Sequence, residues 1–173
     1  MINQSSLSTD TDPTKTQRMN FAFTDFAEVV PRLYVGAHPE PESAFDFGAD
    51  VVVCLTANPA IPSPHSGRLL VHWPIKDGPV PRPEVLRSLA GLIDTFLKQG
   101  AVVYVHCQAG MNRSALVVGR VLMAQGMTAD EAIALVRDRR KGSLSDEYAE
   151  WLRSDENGFG KTALQGGGTT TSA

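Results

Sequence analysis

The sequence has few cysteines, no long apolar run and no block of basic residues. Only two of its 173 residues are cysteine, and without a secretory signal peptide they favour a reducing compartment. No run approaches the ~18 apolar residues of a membrane span. The net charge is −3 and the sequence contains no block of Lys or Arg. It therefore predicts no basic surface that would attract nucleic acid or an acidic membrane. We therefore expect a cytoplasmic protein whose first partner is neither nucleic acid nor membrane.

The composition predicts one globular domain between two flexible tails. The chain is 42% hydrophobic and 20% charged, which is ordinary for a cored domain of this length. Residues 1–19 are polar without apolar periodicity, and the chain ends in a low-complexity Gly/Thr/Ser stretch. We place the flexible tails at 1–19 and 159–173 and the catalytic domain at 20–158. The oligomeric state and any role of the tails stay open.

Strand and helix patterns alternate along this domain. Strands are predicted at the hairpin around Pro31-Arg32, over Asp50–Thr56, over Leu69–Ile75 and over Val102–Val105. Helices are predicted over Pro39–Phe47, Arg82–Gln99, from Arg113 onward, after the capping box Thr128–Glu131 and over Ser145–Leu152. The alternation predicts a single α/β domain with a mostly parallel central sheet and helices on both faces. The basic cluster Arg139-Arg140-Lys141 is interpreted as a helix C-terminus, with a substrate-facing patch as the alternative.

The stretch Val102–Ser114 joins a strand to a helix through a tight loop that contains a thiol and a guanidinium. Such a loop places backbone N–H groups around one point at the positive end of a helix dipole, which forms an anion site. Five residues separate Cys107 from Arg113, so a tetrahedral oxyanion can sit over the sulfur while Arg113 binds two of its oxygens. The same field lowers the pKa of the cysteine. The loop is predicted to supply a nucleophile beside an oxyanion cradle.

The residues His106-Cys107-x-x-Gly110-x-x-Arg113-Ser114 resemble the signature loop of the protein tyrosine phosphatase superfamily, in its small dual-specificity branch. The resemblance implies that Cys107 attacks phosphorus and that His106 orients the loop and supports the thiolate. Gly110 allows a positive φ or a close approach to the anion. Ser114 is predicted to donate to the sulfur when the phosphocysteine breaks down, with a simple first-turn residue of the helix as the alternative. The predicted phosphate-binding residues are Gln108, Ala109, Gly110, Met111, Asn112 and Arg113.

Asp77 is predicted as the general acid that protonates the leaving oxygen. It follows a strand, lies 30 positions before Cys107 and is flanked by Gly78 and Pro79. Dual-specificity phosphatases carry their acid in a similar loop at a similar distance; a simple turn aspartate is the alternative. The resulting two-step mechanism needs no cofactor, and the sequence contains no ligand cluster for a metal.

Two departures and one extra thiol qualify the resemblance. Many relatives have Pro-Asn where this chain has Leu144-Ser145, so Ser145 is a candidate substitute for that Asn. Asn112 stands where Ser is common. Cys54, in the predicted strand beside the catalytic one, is a candidate redox partner that would trap oxidised Cys107 as a disulfide, with a buried inert thiol as the alternative.

The predicted substrate is a singly phosphorylated group, because no loop residue between Cys107 and Arg113 is charged. Phosphotyrosine of a protein comes first, with phosphoserine and phosphothreonine as further substrates. The alternative is a non-protein phosphoester such as an RNA 5′ end, a phosphoinositide or a small metabolite. A phospho-binding module and a sulfurtransferase are the remaining, weaker alternatives.

Overall fold

A computed structural model describes residues 25–39, 48–59 and 67–162. Within them the strands are β1 (Phe26–Val30), β2 (Leu33–Gly36), β3 (Val51–Cys54), β4 (Leu69–His72) and β5 (Val103–His106), and the helices are α1 (Pro83–Lys98), α2 (Arg113–Ala124), α3 (Ala129–Arg139) and α4 (Asp146–Thr162). No described helix is both long and apolar enough to cross a membrane. The predicted N-terminal tail lies outside the described residues, and the boundary predicted at residue 158 falls inside α4.

The strands form one sheet in the order β1-β2-β5-β3-β4. β1 and β2 are antiparallel, whereas β2 with β5, β5 with β3 and β3 with β4 are parallel. The hairpin predicted at Pro31-Arg32 and the mostly parallel sheet are thus confirmed. β4 is shorter than predicted because its partner β3 ends at Cys54, opposite His72. The strand that precedes the Cys107 loop, β5, lies at the centre of the sheet.

The two faces of the sheet are covered differently. Side chains alternate along each strand, so Val51, Val53, Val103 and Val105 share one face, and the buried side chains of α1, α2, α3 and α4 all pack in that cluster. The opposite face holds a small cluster around Ala49, Val52 and Tyr104. All four described helices lie on one face of the sheet. They therefore account for one of the two predicted helical layers. The helix predicted over Pro39–Phe47 falls on residues that, after Pro39, lie outside the described part.

The helices follow from local sequence signals. α1 has Pro83 in its first turn and buries one apolar stripe. α2 is buried over most of its length, from Ser114 to Leu122, because α1, α3 and α4 all contact it. The predicted capping box opens α3, with the Thr128 side chain accepting from the Glu131 amide. Since the carboxyl ends of the parallel strands meet at one edge, the loops after β3, β4 and β5 leave the sheet together.

Candidate active site

Cys107 is the first residue after β5, and it is 2% exposed. Its Sγ lies 3.4 Å from the Ser114 hydroxyl oxygen at the start of α2. Burial raises the pKa of the Cys107 thiol, but the Ser114 hydroxyl, the amides of Ser114 and Gly110 and the Arg113 charge outweigh it and bring the pKa below its ordinary value. The sulfur thus lies in a site that stabilises the thiolate.

The loop backbone is held from outside through its carbonyl oxygens. Four successive carbonyls accept hydrogen bonds, namely Gln108 from the His38 amide (3.0 Å), Ala109 and Gly110 from the Arg140 guanidinium (3.1 and 2.6 Å), and Met111 from the Leu144 amide (2.8 Å). In a planar trans peptide the next residue's N–H points away from the carbonyl. The N–H groups of residues 109–112 are therefore turned toward the interior of the loop, where they can bind an anion.

Gly110 is required by both conformation and space. Its φ is +68°, in the left-handed region that favours glycine. A Cβ there would also collide with the backbone of Gly36 and Ala37 at the end of β2. The prediction of a positive φ at Gly110 is confirmed, and the close approach turns out to be to β2.

Arg113 begins α2 and its side chain is 13% exposed. Its Nη1 donates to the Ile75 carbonyl at 3.1 Å, which fixes the guanidinium against the segment after β4. Its Nε is buried and has no hydrogen-bond partner among the described residues. A buried, unsatisfied guanidinium N–H is costly, so this arrangement favours an oxyanion beside it.

Asp77 lies beside this guanidinium, as its predicted role requires. Its Oδ2 is 3.7 Å from Arg113 Nη2, and its side chain is 58% exposed. The structure therefore brings Asp77 to the same edge as the Cys107 loop although the two residues lie 30 positions apart in the sequence. The carboxylate can reach solvent and the anion site alike.

His106 is enclosed at the end of β5. Its ring stacks on Tyr104 (5.5 Å between centroids) and meets His38 edge-on (5.1 Å). Burial, assisted by the charge of His38, lowers the pKa of His106 to about 4. The ring is thus neutral at pH 7. Its support of the thiolate stays a prediction.

Cys54 lies on β3, directly opposite His106 in the parallel register. It is a buried free thiol whose Sγ is 3.2 Å from the Thr56 hydroxyl. Because side chains alternate, Cys54 points to the sheet face of His106, whereas Cys107 packs in the cluster with the helices. The redox partnership between the two thiols stays a prediction.

Two supports of the loop were not anticipated from the sequence. The cluster Arg139-Arg140-Lys141 lies at the C-terminus of α3, as predicted, with Arg140 as the C-cap residue. The further role of Arg140 was not predicted: its side chain is 6% exposed and binds the loop carbonyls. Ser145 was predicted only as a candidate substitute for the Asn of relatives; its amide donates to Asn112 Oδ1 at 3.0 Å, while its hydroxyl accepts from the Tyr148 amide. Hydrogen bonds to backbone atoms leave no spacing pattern that could have revealed either.

Comparison with known proteins agrees with this geometry. The structure of Tk-PTP in its active form superposes with a TM-score of 0.67 at 25% identity, covering 77% of this chain and 97% of that one. A mouse putative dual specificity phosphatase gives a TM-score of 0.69 at 23% identity, covering 83% of this chain and 93% of that one. The fold is thus that of the small protein tyrosine phosphatases.

The sequence comparison is more specific. Residues 33–157 match the family described as "Dual specificity phosphatase, catalytic domain", and the chain belongs to that family. Over 110 residues it is 30% identical to protein tyrosine phosphatase type IVA 3 of Mus musculus, covering 61% of this chain and 64% of that protein. The chain thus spans slightly less than two thirds of that relative.

Proposed function

We propose that this protein is a metal-independent phosphomonoester hydrolase that acts through a phosphocysteine intermediate on phosphoproteins in the cytoplasm. The observation that carries the proposal is the surroundings of the Cys107 sulfur, where Ser114, the Gly110 amide and the Arg113 charge all favour the thiolate, while Arg113 Nε is buried without a hydrogen-bond partner in the part of the chain that the structure describes. A tetrahedral phosphoryl group fits such a site, because it accepts several charge-assisted hydrogen bonds at once.

In the first step the Cys107 thiolate attacks phosphorus and the bond from phosphorus to the leaving oxygen breaks. The loop N–H groups and Arg113 bind the three equatorial oxygens. Asp77, 3.7 Å from the guanidinium, gives its proton to the leaving oxygen, so the product departs as an alcohol or phenol.

In the second step water attacks the phosphocysteine and the bond from sulfur to phosphorus breaks. Asp77, now ionised, accepts the proton of the attacking water. The Ser114 hydroxyl, 3.4 Å from Sγ, donates to the departing sulfur and stabilises the thiolate that forms. Free enzyme and inorganic phosphate result.

The substrate side of the proposal rests on the loop surface. Gln108 and Ala109 are exposed at the mouth of the loop and carry no charge, which fits one phosphoryl group better than a polyphosphorylated headgroup. Phosphotyrosine comes first, since relatives such as type IVA 3 of Mus musculus are described as protein tyrosine phosphatases. Phosphoserine and phosphothreonine are further substrates, and a non-protein phosphoester is the competing class.

The test is hydrolysis of p-nitrophenyl phosphate by reduced protein in EDTA, comparing the wild type with Cys107→Ser and Asp77→Ala. We expect no turnover for Cys107→Ser and a loss of about 10²-fold or more for Asp77→Ala. Asp138→Ala, an exposed carboxylate on α3, is the matched control and should retain full activity. An acid-quenched reaction with labelled substrate should leave phosphate on Cys107.

The same assay, with two additions, distinguishes the proposed hydrolase from the alternative functions. Turnover that survives Cys107→Ser, or that EDTA abolishes, contradicts the proposal. Phosphate binding without turnover would favour a phospho-binding module, and transfer of sulfur from thiosulfate to cyanide would favour a sulfurtransferase. Panels of phosphopeptides, phosphoinositides and RNA 5′-phosphates then rank the substrate classes.

A further inference from the structure

The guanidinium of Arg140 is buried and donates hydrogen bonds on two sides. One edge of its guanidinium donates to the loop, through Nε to the Gly110 carbonyl (2.6 Å) and through Nη2 to the Ala109 carbonyl (3.1 Å). The other edge donates to a carboxylate, through Nη1 to Asp25 Oδ1 (2.9 Å) and Nη2 to Asp25 Oδ2 (2.7 Å). The planar fork thus joins Asp25 to the loop rigidly.

Asp25 is itself fixed in place, although its side chain is 77% exposed. It immediately precedes β1, and its carbonyl accepts from the Ala37 amide at 2.9 Å. Ala37 follows Gly36, against whose backbone Gly110 packs. The Arg140 side chain, by hydrogen bonding, holds the pKa of Asp25 below its ordinary value, so the carboxylate stays ionised at neutral pH.

We propose that Asp25 is a positioning residue for the phosphate site, acting through Arg140 on the peptide groups of the loop; this inference rests on the function proposed above. The carbonyl of Ala109 shares a peptide plane with the N–H of Gly110, and the carbonyl of Gly110 shares one with the N–H of Met111. By orienting Arg140, Asp25 keeps both carbonyls turned outward and both N–H groups turned inward, toward sulfur and phosphate.

Removing the carboxylate would act on the loop rather than on the fold. Arg140 would lose two of its four hydrogen bonds and the charge that neutralises it, while its side chain is only 6% exposed. A buried cation that loses its counter-charge is strongly destabilised, which favours conformations in which Arg140 leaves the loop and reaches solvent. The two carbonyls would then lose their donors, and the N–H groups of Gly110 and Met111 would lose their fixed direction.

The chain offers a matched control at Asp130. Its carboxylate is also 77% exposed and is paired with an arginine, Arg153, at 2.8 Å. Arg153 is 44% exposed on α4 and donates to no loop carbonyl among its described contacts. Asp130→Ala therefore removes an equally exposed aspartate from an Asp–Arg pair without touching Arg140, so an effect specific to Asp25→Ala reports on the partner Arg140 and the loop it binds.

The experiment compares the wild type, Asp25→Ala, Asp25→Asn and Asp130→Ala by two readouts that need no turnover. One is the dissociation constant of inorganic vanadate. The other is the pH dependence of Cys107 alkylation by iodoacetate, followed by peptide mass spectrometry. We expect Asp25→Ala to weaken vanadate binding about three- to tenfold and to move the alkylation midpoint to higher pH, with Asp25→Asn intermediate and Asp130→Ala unchanged.

A double-mutant cycle with Arg140→Lys tests the route. If Asp25 acts through Arg140, adding Asp25→Ala to Arg140→Lys should cost far less than it costs the wild type. The proposal is overturned if Asp25→Ala matches Asp130→Ala in both readouts, or if the two effects simply add. Either result leaves the proposed hydrolase intact, whereas a wild type that does not hydrolyse p-nitrophenyl phosphate would overturn that function and leave the vanadate and alkylation comparisons valid for Asp25.

Discussion

The buried imidazole of His106 predicts a measurable pH dependence of stability. The ring is 1% exposed, enclosed by Tyr104 and His38, and burial lowers its pKa from 6.5 to about 4. The folded-state pKa therefore lies below that of the unfolded chain, and the unfolded state binds the proton first as the pH falls. The stability contributed by neutral His106 is fully present above about pH 6.5 and is lost progressively toward pH 4.

The size of the effect follows from the difference between the unfolded-state and folded-state pKa values of His106. At about 1.4 kcal/mol per pH unit, the interval from pH 6.5 to about 4 corresponds to roughly 3 kcal/mol in total. About 2 kcal/mol of this should disappear between pH 7 and pH 5, a range in which most carboxylates remain ionised. That is a large share of the 5–15 kcal/mol expected for a domain of this kind.

Urea unfolding of the wild type and His106→Asn between pH 7 and pH 5 provides the assay. The variant has no proton to gain, so its free energy of unfolding should fall about 2 kcal/mol less than that of the wild type over this range. Any constant destabilisation by the substitution cancels, since only the pH dependences are compared. Parallel curves for the two proteins would refute a buried neutral His106.

Three further changes have defined outcomes. Gly110→Ala should lower the free energy of unfolding in urea by about 2 kcal/mol or more and abolish vanadate binding. The reason is that residue 110 has a φ of +68° and that an alanine Cβ would collide with the backbone of Gly36 and Ala37. Normal vanadate binding would contradict this close packing. The Tyr148 hydroxyl is buried and has no hydrogen bond of full geometry among the described residues, although the Gly78 backbone interacts with it. Tyr148→Phe should therefore change the free energy of unfolding by no more than about 1 kcal/mol; a larger loss would show that Gly78 donates a strong hydrogen bond to the hydroxyl. A redox partnership predicts a Cys54–Cys107 disulfide after peroxide treatment, whereas an inert buried Cys54 predicts none; peptide maps of the oxidised protein decide between the two.

The elements that the sequence predicts well are those with strong local signals. The apolar run around Val51–Cys54, the stripe of α1 and the capping box at Thr128 each determine their own structure. The end of β4 depended on its neighbour, because hydrogen bonds to β3 and not the apolar run set its length. Burial of α2 on nearly all sides likewise depends on three other helices and is visible only in the assembled domain.

The candidate site likewise contains residues that local sequence signals place and residues that only the tertiary structure places. Cys107, Arg113 and Ser114 belong to one short loop, so their spacing alone brings them together. Asp77 could be placed only through the resemblance, by its position after a strand and its distance from Cys107, since its strand β4 is separated from β5 by β3. Arg140 could not, since it reaches the loop across 30 residues and binds carbonyl groups that every residue has. Its partner Asp25 lies 115 residues from it in sequence, a separation that no local pattern spans.

Substitutions within the Cys107 loop and substitutions at its distant supports should have different effects. The nucleophile and the guanidinium are encoded locally, whereas the direction of the loop N–H groups depends on donors from three separate places, His38, Arg140 and Leu144. Leu144 donates to the Met111 carbonyl from a strained backbone with φ of +61°, which tertiary contacts must maintain. Changes within the loop should therefore abolish chemistry, and changes at its distant supports should weaken oxyanion binding in graded steps while the thiolate remains.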